Sequence, residues 1–170
     1  TVRVVLFTNE ENGLKGALTY AEQHAGERHV AAIESDTGTG LPSGFRVDVR
    51  HDDEEEQAHR LEIVLAGLAP IQAHLAPLDA ASMRPAYGGA DIGPLVKQGV
   101  VGFGVDHDTT GYWPIHHTEA DTVDKVDPAA LRQAVAAVAV LAYALAETPE
   151  PLLAPRSSRP PKTSSRKFPW

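Results

Sequence analysis

The strongest constraint on this chain is a strand-like run that ends in two adjacent acids. Val2 to Phe7 reads VRVVLF, with five of six residues apolar and three β-branched. An unalternated run of this kind predicts a central strand covered on both faces. Thr8-Asn9 then delivers Glu10 and Glu11 into a loop that Asn12-Gly13 closes before a helical pattern begins at Leu14. Neighbouring side chains at a strand end point in different directions, so one glutamate can ligate a metal while the other takes a proton from a metal-bound water. For an isolated Glu-Glu pair the plainer reading is a solvated acidic turn, so the rest of the chain has to decide between them.

The pattern recurs. Val30 to Ile33 is a second short apolar run ending in acids, Glu34-Ser35-Asp36, before the flexible Thr37-Gly38-Thr39-Gly40-Leu41-Pro42. Val100 to Val105 is a third buried-strand candidate, and Phe45 to Val49 reads as an extended segment. Between them, helical spacing runs from Leu14 to about His24 through Ala17, Leu18 and Ala21. It returns from Glu54 to Leu68, with Leu61, Val64, Leu65 and Leu68 inward, after an acidic run from Asp52 to Glu56 that suits a solvated helix start. His51, His59 and His74 read as surface residues, and 69–89 as a proline-punctuated loop. Gly88-Gly89-Ala90-Asp91 is a glycine turn whose aspartate reads as a helix cap, leading into a short helix to Gly99. Asp127-Pro128 starts a long alanine-rich helix to about Glu147, with Leu131, Val135, Val138, Leu141 and Leu145 expected on the sheet side. Strands alternating with helices predict an α/β fold, a mixed and mostly parallel sheet flanked by helices, with its site at the carboxyl edge.

Composition narrows the function. Net charge is −8, but residues 1–154 hold 10 basic against 23 acidic residues, a net of −13. Such a body suits a cation and argues against nucleic acid or an anionic membrane. The longest apolar stretch, Ala134 to Ala146, is too short to span a bilayer, so no membrane insertion is expected. There is no cysteine, so a metal would be held by histidine and carboxylate. The loop from Asp106 to Ile115 sets Tyr112 and Trp113 next to acids, a candidate pocket wall. Residues 1–147 read as the carboxyl-terminal part of a domain that lacks earlier strands, and 148–170 as a disordered or non-native tail.

TNEENG at residues 8–13, ESDTG at 34–38, GGAD at 88–91 and HHTEADT at 116–122 together resemble the M28 family of zinc peptidases, in its carboxypeptidase Q-like branch. The resemblance implies a zinc-exopeptidase-like α/β/α fold, incomplete here on its amino-terminal side. It also implies a site for two zinc ions whose bridging water attacks the peptide bond of a peptide or dipeptide. By position Glu10 would be the general base, and Glu11, Asp36 and His117 zinc ligands. His116, Asp121 and Asp91 would orient or cap these groups, with Tyr112 and Trp113 near the substrate side chain. Export, periplasmic or secreted, goes with the resemblance, and it leaves a homodimer open. The family's first ligand histidine and its bridging aspartate precede the glutamate pair and have no counterpart in this sequence, so the isolated chain is expected to be inactive. A domain of this kind that has lost catalysis and serves in binding is the alternative, and zinc-dependent glutaminyl cyclase chemistry a third.

Overall fold

The computed structural model describes residues 1–38 and 40–153. Four strands, β1 (Ala31–Glu34), β2 (Pro42–Asp48), β3 (Ser82–Pro85) and β4 (Val101–His107), form one sheet in the order β1-β4-β2-β3. β1 and β4 run parallel, as do β2 and β3, while β2 and β4 are antiparallel. The sheet is thus mixed, and the carboxyl ends of β1 and β4 share one edge.

Alternation along β4 divides the molecule into layers. Val101, Phe103 and Val105 enter a large core with Phe45, Val47, Val64, Leu68, Ile71, Leu75, Leu141 and Leu145. These last residues come from β2 and from helices α2 (Glu54–Gly67), α3 (Ala69–Leu75) and α5 (Pro128–Glu147). Gly102 and Gly104 face the other way, where α1 (Lys15–Gln23) and α4 (Gly93–Lys97) cover the sheet through Ala21, Ala32, Ile92, Leu95 and Val96. The three layers are those expected of an α/β/α fold.

Local signals account for the long helices. The Asp53 carboxylate accepts the Glu56 amide at 2.9 Å, and Glu54, Glu55 and Glu56 occupy the first turn of α2, where the helix dipole favours negative charge. Asp127 accepts the Ala129 amide at 2.7 Å and is followed by Pro128, whose missing N–H is harmless in the first turn.

Three expectations need correction. Val2–Phe7 is not a buried strand: it is unpaired, and Val4 and Leu6 are 85% and 89% exposed. A cleft of about 610 Å³ separates it from β1, lined on the far side by Ala31, Ala32, Ile33 and Leu145. An apolar, β-branched segment becomes a strand only when a neighbour satisfies its backbone, and across this gap none does. Side chains fasten it instead. Arg3 donates to the Tyr20 hydroxyl at 3.0 Å and pairs with Glu27 at 2.8 Å, while Phe7 sits edge-on to Tyr20.

The second correction concerns 69–89, which is not one loop. Its prolines fall where each is tolerated: Pro70 in the first turn of α3, Pro77 in a short 3-10 turn, and Pro85 at the end of edge strand β3. The third concerns α5. Its buried stripe is Ala130, Ala134, Ala137, Leu141 and Leu145, whereas Leu131 and Val135 are exposed. Alanines let the amino-terminal half of the helix pack closely, and Leu141 and Leu145 fill the core in the second half. At 20 residues α5 is long and apolar enough to cross a bilayer, more than the shorter apolar stretch predicted, but here its buried stripe packs on the core. Leu152 and Leu153 also pack against that core, and the remainder of the expected tail lies outside the described residues.

Two outcomes follow for urea unfolding. Phe103→Ala should lose about 3–5 kcal/mol by opening a core cavity, whereas Leu6→Lys should stay within about 0.5 kcal/mol of the parent. A loss at Leu6 as large as that at Phe103 would restore the buried-strand reading. On the sheet, Arg84 holds Asp106 through two hydrogen bonds, at 2.5 and 2.9 Å, and keeps its carboxyl below the usual range. A carboxyl lowered by folding contributes stability above its unfolded pKa of about 3.9, lost as pH falls through the lower folded value. Arg84→Gln should therefore weaken the protein at neutral pH and match the parent at the acid end of a stability-pH series.

Candidate active site

The Glu-Glu loop is shaped by two left-handed residues. Asn9 has φ 67° and Leu14 φ 57°, and between them the Gly13 and Leu14 amides donate to the Glu10 carbonyl at 3.1 and 3.0 Å. Asparagine is among the few residues that adopt this conformation readily. The turn sends its two carboxylates apart, with Glu10 half-buried and Glu11 exposed. The loop is tied to α1 through the Gly16 amide, which donates to the Thr8 carbonyl at 3.2 Å.

His117, 106 residues further on, meets this loop. Its Nε2 lies 2.9 Å from Glu11 Oε1, and its own backbone is left-handed at φ 58°. Beside it His116 stacks at 3.7 Å between ring centroids, Tyr112 lies 4.6 Å from His116, and Trp113 is edge-on to Tyr112 at 5.0 Å. The predicted aromatic wall is thus continuous with the histidine pair.

Asp36 is exposed just beyond the end of β1. Its charge bears on Glu10, Asp91 and Tyr112, which places it on the same rim. Glu10 is pushed above the usual carboxyl range by desolvation, and further by Glu11, Asp91 and Asp36, with His117 opposing. Asp91 is raised by burial and then by Asp36. Burial, followed by Asp36, Asp121 and Glu11, raises Tyr112. Asp121 itself is exposed, with its amide donated to the Thr118 carbonyl at 3.1 Å.

The sequence left Asp91 between helix cap and site partner, and the cap reading fails. The N-cap position of α4 is Ile92, no side chain caps it, and Asp91 Oδ1 is buried without a hydrogen-bond partner among the described residues. What holds the 88–91 turn is a pair of carboxylates that sequence reasoning missed. Glu34 Oε1 and Oε2 accept the Ala90 and Ile92 amides at 3.0 Å each, and buried Asp48 accepts the Gly88 amide at 3.0 Å while Arg50 grips it at 2.7 and 3.0 Å. The turn lies directly on β4, where a Cβ at Gly104 would run into the Gly88 carbonyl. Alternate glycines in a strand, Gly102 and Gly104, were the available signal of such a close approach.

Zinc takes imidazole nitrogen and carboxylate oxygen, so the donor types at this rim fit that metal. Glu11 and His117 already touch, and a buried, unpartnered carboxylate oxygen at Asp91 beside mutually repelling acids is the environment a cation would relieve. The third predicted ligand, Asp36, is on the rim but not in that contact, and among the described residues no three histidines or acids are drawn together as a finished metal cage.

Comparison with known proteins places the chain in a family. The family model for peptidase family M28 matches residues 1–142. Carboxypeptidase Q of Pongo abelii is 33% identical over 159 residues, which is 92% of this chain and 31% of that protein. Carboxypeptidase Q of Homo sapiens is 32% identical over the same length and coverage. The crystal structure of a peptidase M28 precursor from Shewanella amazonensis SB2B superimposes with a TM-score of 0.72 at 32% identity, over 91% of this chain and 33% of that one. The chain therefore spans about a third of the length of the relatives it matches. A match over most of its residues, on a sheet edge that gathers the glutamate pair, Asp36, Asp91 and His117, makes this chain a member of peptidase family M28.

Proposed function

We propose that this chain carries part of the active site of a zinc-dependent exopeptidase, an aminopeptidase or dipeptidase, with Glu10 as general base and Glu11, Asp36 and His117 as zinc ligands. One observation supports this above the others: Glu11 and His117, far apart in sequence, meet at 2.9 Å beside Glu10. Zinc bound there would polarise the scissile carbonyl and make water a better nucleophile near neutral pH.

The protein's own groups do the rest. Glu10, raised first by desolvation and then by its acidic neighbours, is a stronger base than an ordinary glutamate; its carboxylate takes the proton and passes it to the leaving amine. The Tyr112, Trp113 and His116 rings form an aromatic wall, with Trp113 edge-on to the other two, against which a substrate side chain is oriented. His116, stacked on His117, restricts how that imidazole turns. Export of the mature protein, periplasmic or secreted, goes with this reading. Three donors fall short of two zinc sites, so turnover is assigned to an enzyme of the relatives' full length and not to this chain alone.

Calorimetric titration of the chain with zinc tests the proposal. One ion should bind, and His117→Ala or Glu11→Gln should weaken it by at least about tenfold. Equal affinity in the parent and both variants would refute the ligand assignment. Glu10→Gln should leave zinc binding in place but lower kcat by about 10²–10⁴-fold in the full-length enzyme. Activity unchanged by that substitution would remove Glu10 from its role.

A further inference from the structure

Glu34 lies two residues before Asp36 at the end of β1, with its side chain on the same face as Ala32 and opposite Gly104 in the sheet register. It is half-buried, and both carboxylate oxygens are committed to the turn that carries Asp91, one to the Ala90 amide and the other to the Ile92 amide. Gly89 lies beneath it so closely that a Cβ there would collide with the carboxylate. A half-buried acid among other acids is an expensive way to hold a turn that buried Asp48 already grips at Gly88. Its geometry does something Asp48 does not: one rigid side chain spans the ends of two loops, and each presents an aspartate to the rim.

We propose that Glu34 is a positioning residue of the metal site. It fixes Asp36, through the β1 backbone, and Asp91, through the Ala90 and Ile92 amides, in one arrangement. The inference rests on the zinc-site reading above and deepens it. Two N–H donors, one on each carboxylate oxygen at 3.0 Å, make the link stiff, since the carboxyl group cannot turn without giving up a bond. Groups of this kind, which hold ligands without touching the metal, change metal affinity by roughly 10- to 100-fold when removed.

Calorimetry with zinc alone, paired with amide hydrogen exchange on the same 170-residue chain, provides the test. Glu34→Gln cannot accept both amides, so it should weaken zinc by roughly 10- to 100-fold, with exchange of the Ala90 and Ile92 amides accelerated and that of Phe103 and Val105 unchanged. Gly89→Ala, which displaces the carboxylate from the other side, should do the same. The parent offers a check that needs no variant. Coupling is reciprocal, so zinc should slow exchange at Ala90 and Ile92. Parent-like zinc affinity in Glu34→Gln, or exchange at those two amides indifferent to zinc, would overturn the positioning role while leaving the zinc site standing. Failure of the parent chain to bind zinc at all would overturn both.

Discussion

The site depends on the close contact between a glycine-led turn and a strand that has glycine, Gly104, at the facing position. Gly102 and Gly104 leave β4 without side chains towards the α1–α4 layer: the Gly88 carbonyl fills the space a side chain at 104 would take, and the Val96 and Ile92 side chains fill that at 102. Only from there can Glu34 and Asp48, on the strands either side of β4, reach the turn's amides. The turn in turn holds Asp91 at the rim with an oxygen that is buried and has no hydrogen-bond partner among the described residues. A Cβ at Gly104 would separate turn from strand and dismantle this arrangement from beneath.

Electrostatics works against the assembly. Glu10, Glu11, Asp36 and Asp91 gather their charge at one edge, and both Glu10 and Asp91 are raised as a result, burial being the larger cause. Such a cluster stores unfavourable energy when metal-free, since a carboxyl raised by folding makes the protein less stable as pH climbs through its window. Backbone amides at Glu34 and the imidazole of His117 offset part of this. A cation at the rim would offset the mutual repulsion of these acids.

Much of the fold was legible because its signals are local. Asp53 with the acids that follow, and Asp127 with Pro128, mark helix starts by chemistry confined to a few residues, and both are used as predicted. The three runs Val30–Ile33, Phe45–Val49 and Val100–Val105 all lie in or beside strands of the sheet. Val2–Phe7 failed because its composition fits a buried strand whereas pairing depends on a neighbour that composition cannot report. The stripe of α5 was placed correctly at Val138, Leu141 and Leu145 but not at Leu131 and Val135, because in the amino-terminal half large apolar residues were favoured over the alanines that pack there. At the site, acids at strand ends were visible as motifs. Glu34 was among them but its role was not visible, and Asp48 was not singled out, because their partners are backbone amides more than 39 positions away, which no spacing rule connects.

Zinc-edge anomalous diffraction from crystals of the zinc-loaded chain tests the central claim most directly. The account predicts a peak about 2.0–2.2 Å from His117 Nε2 and from carboxylate oxygens of Glu11 and Asp36, with the Glu11–His117 contact opened to admit the ion. A peak on other residues, such as His24 and Glu27, with Glu11 still hydrogen-bonded to His117, would contradict it.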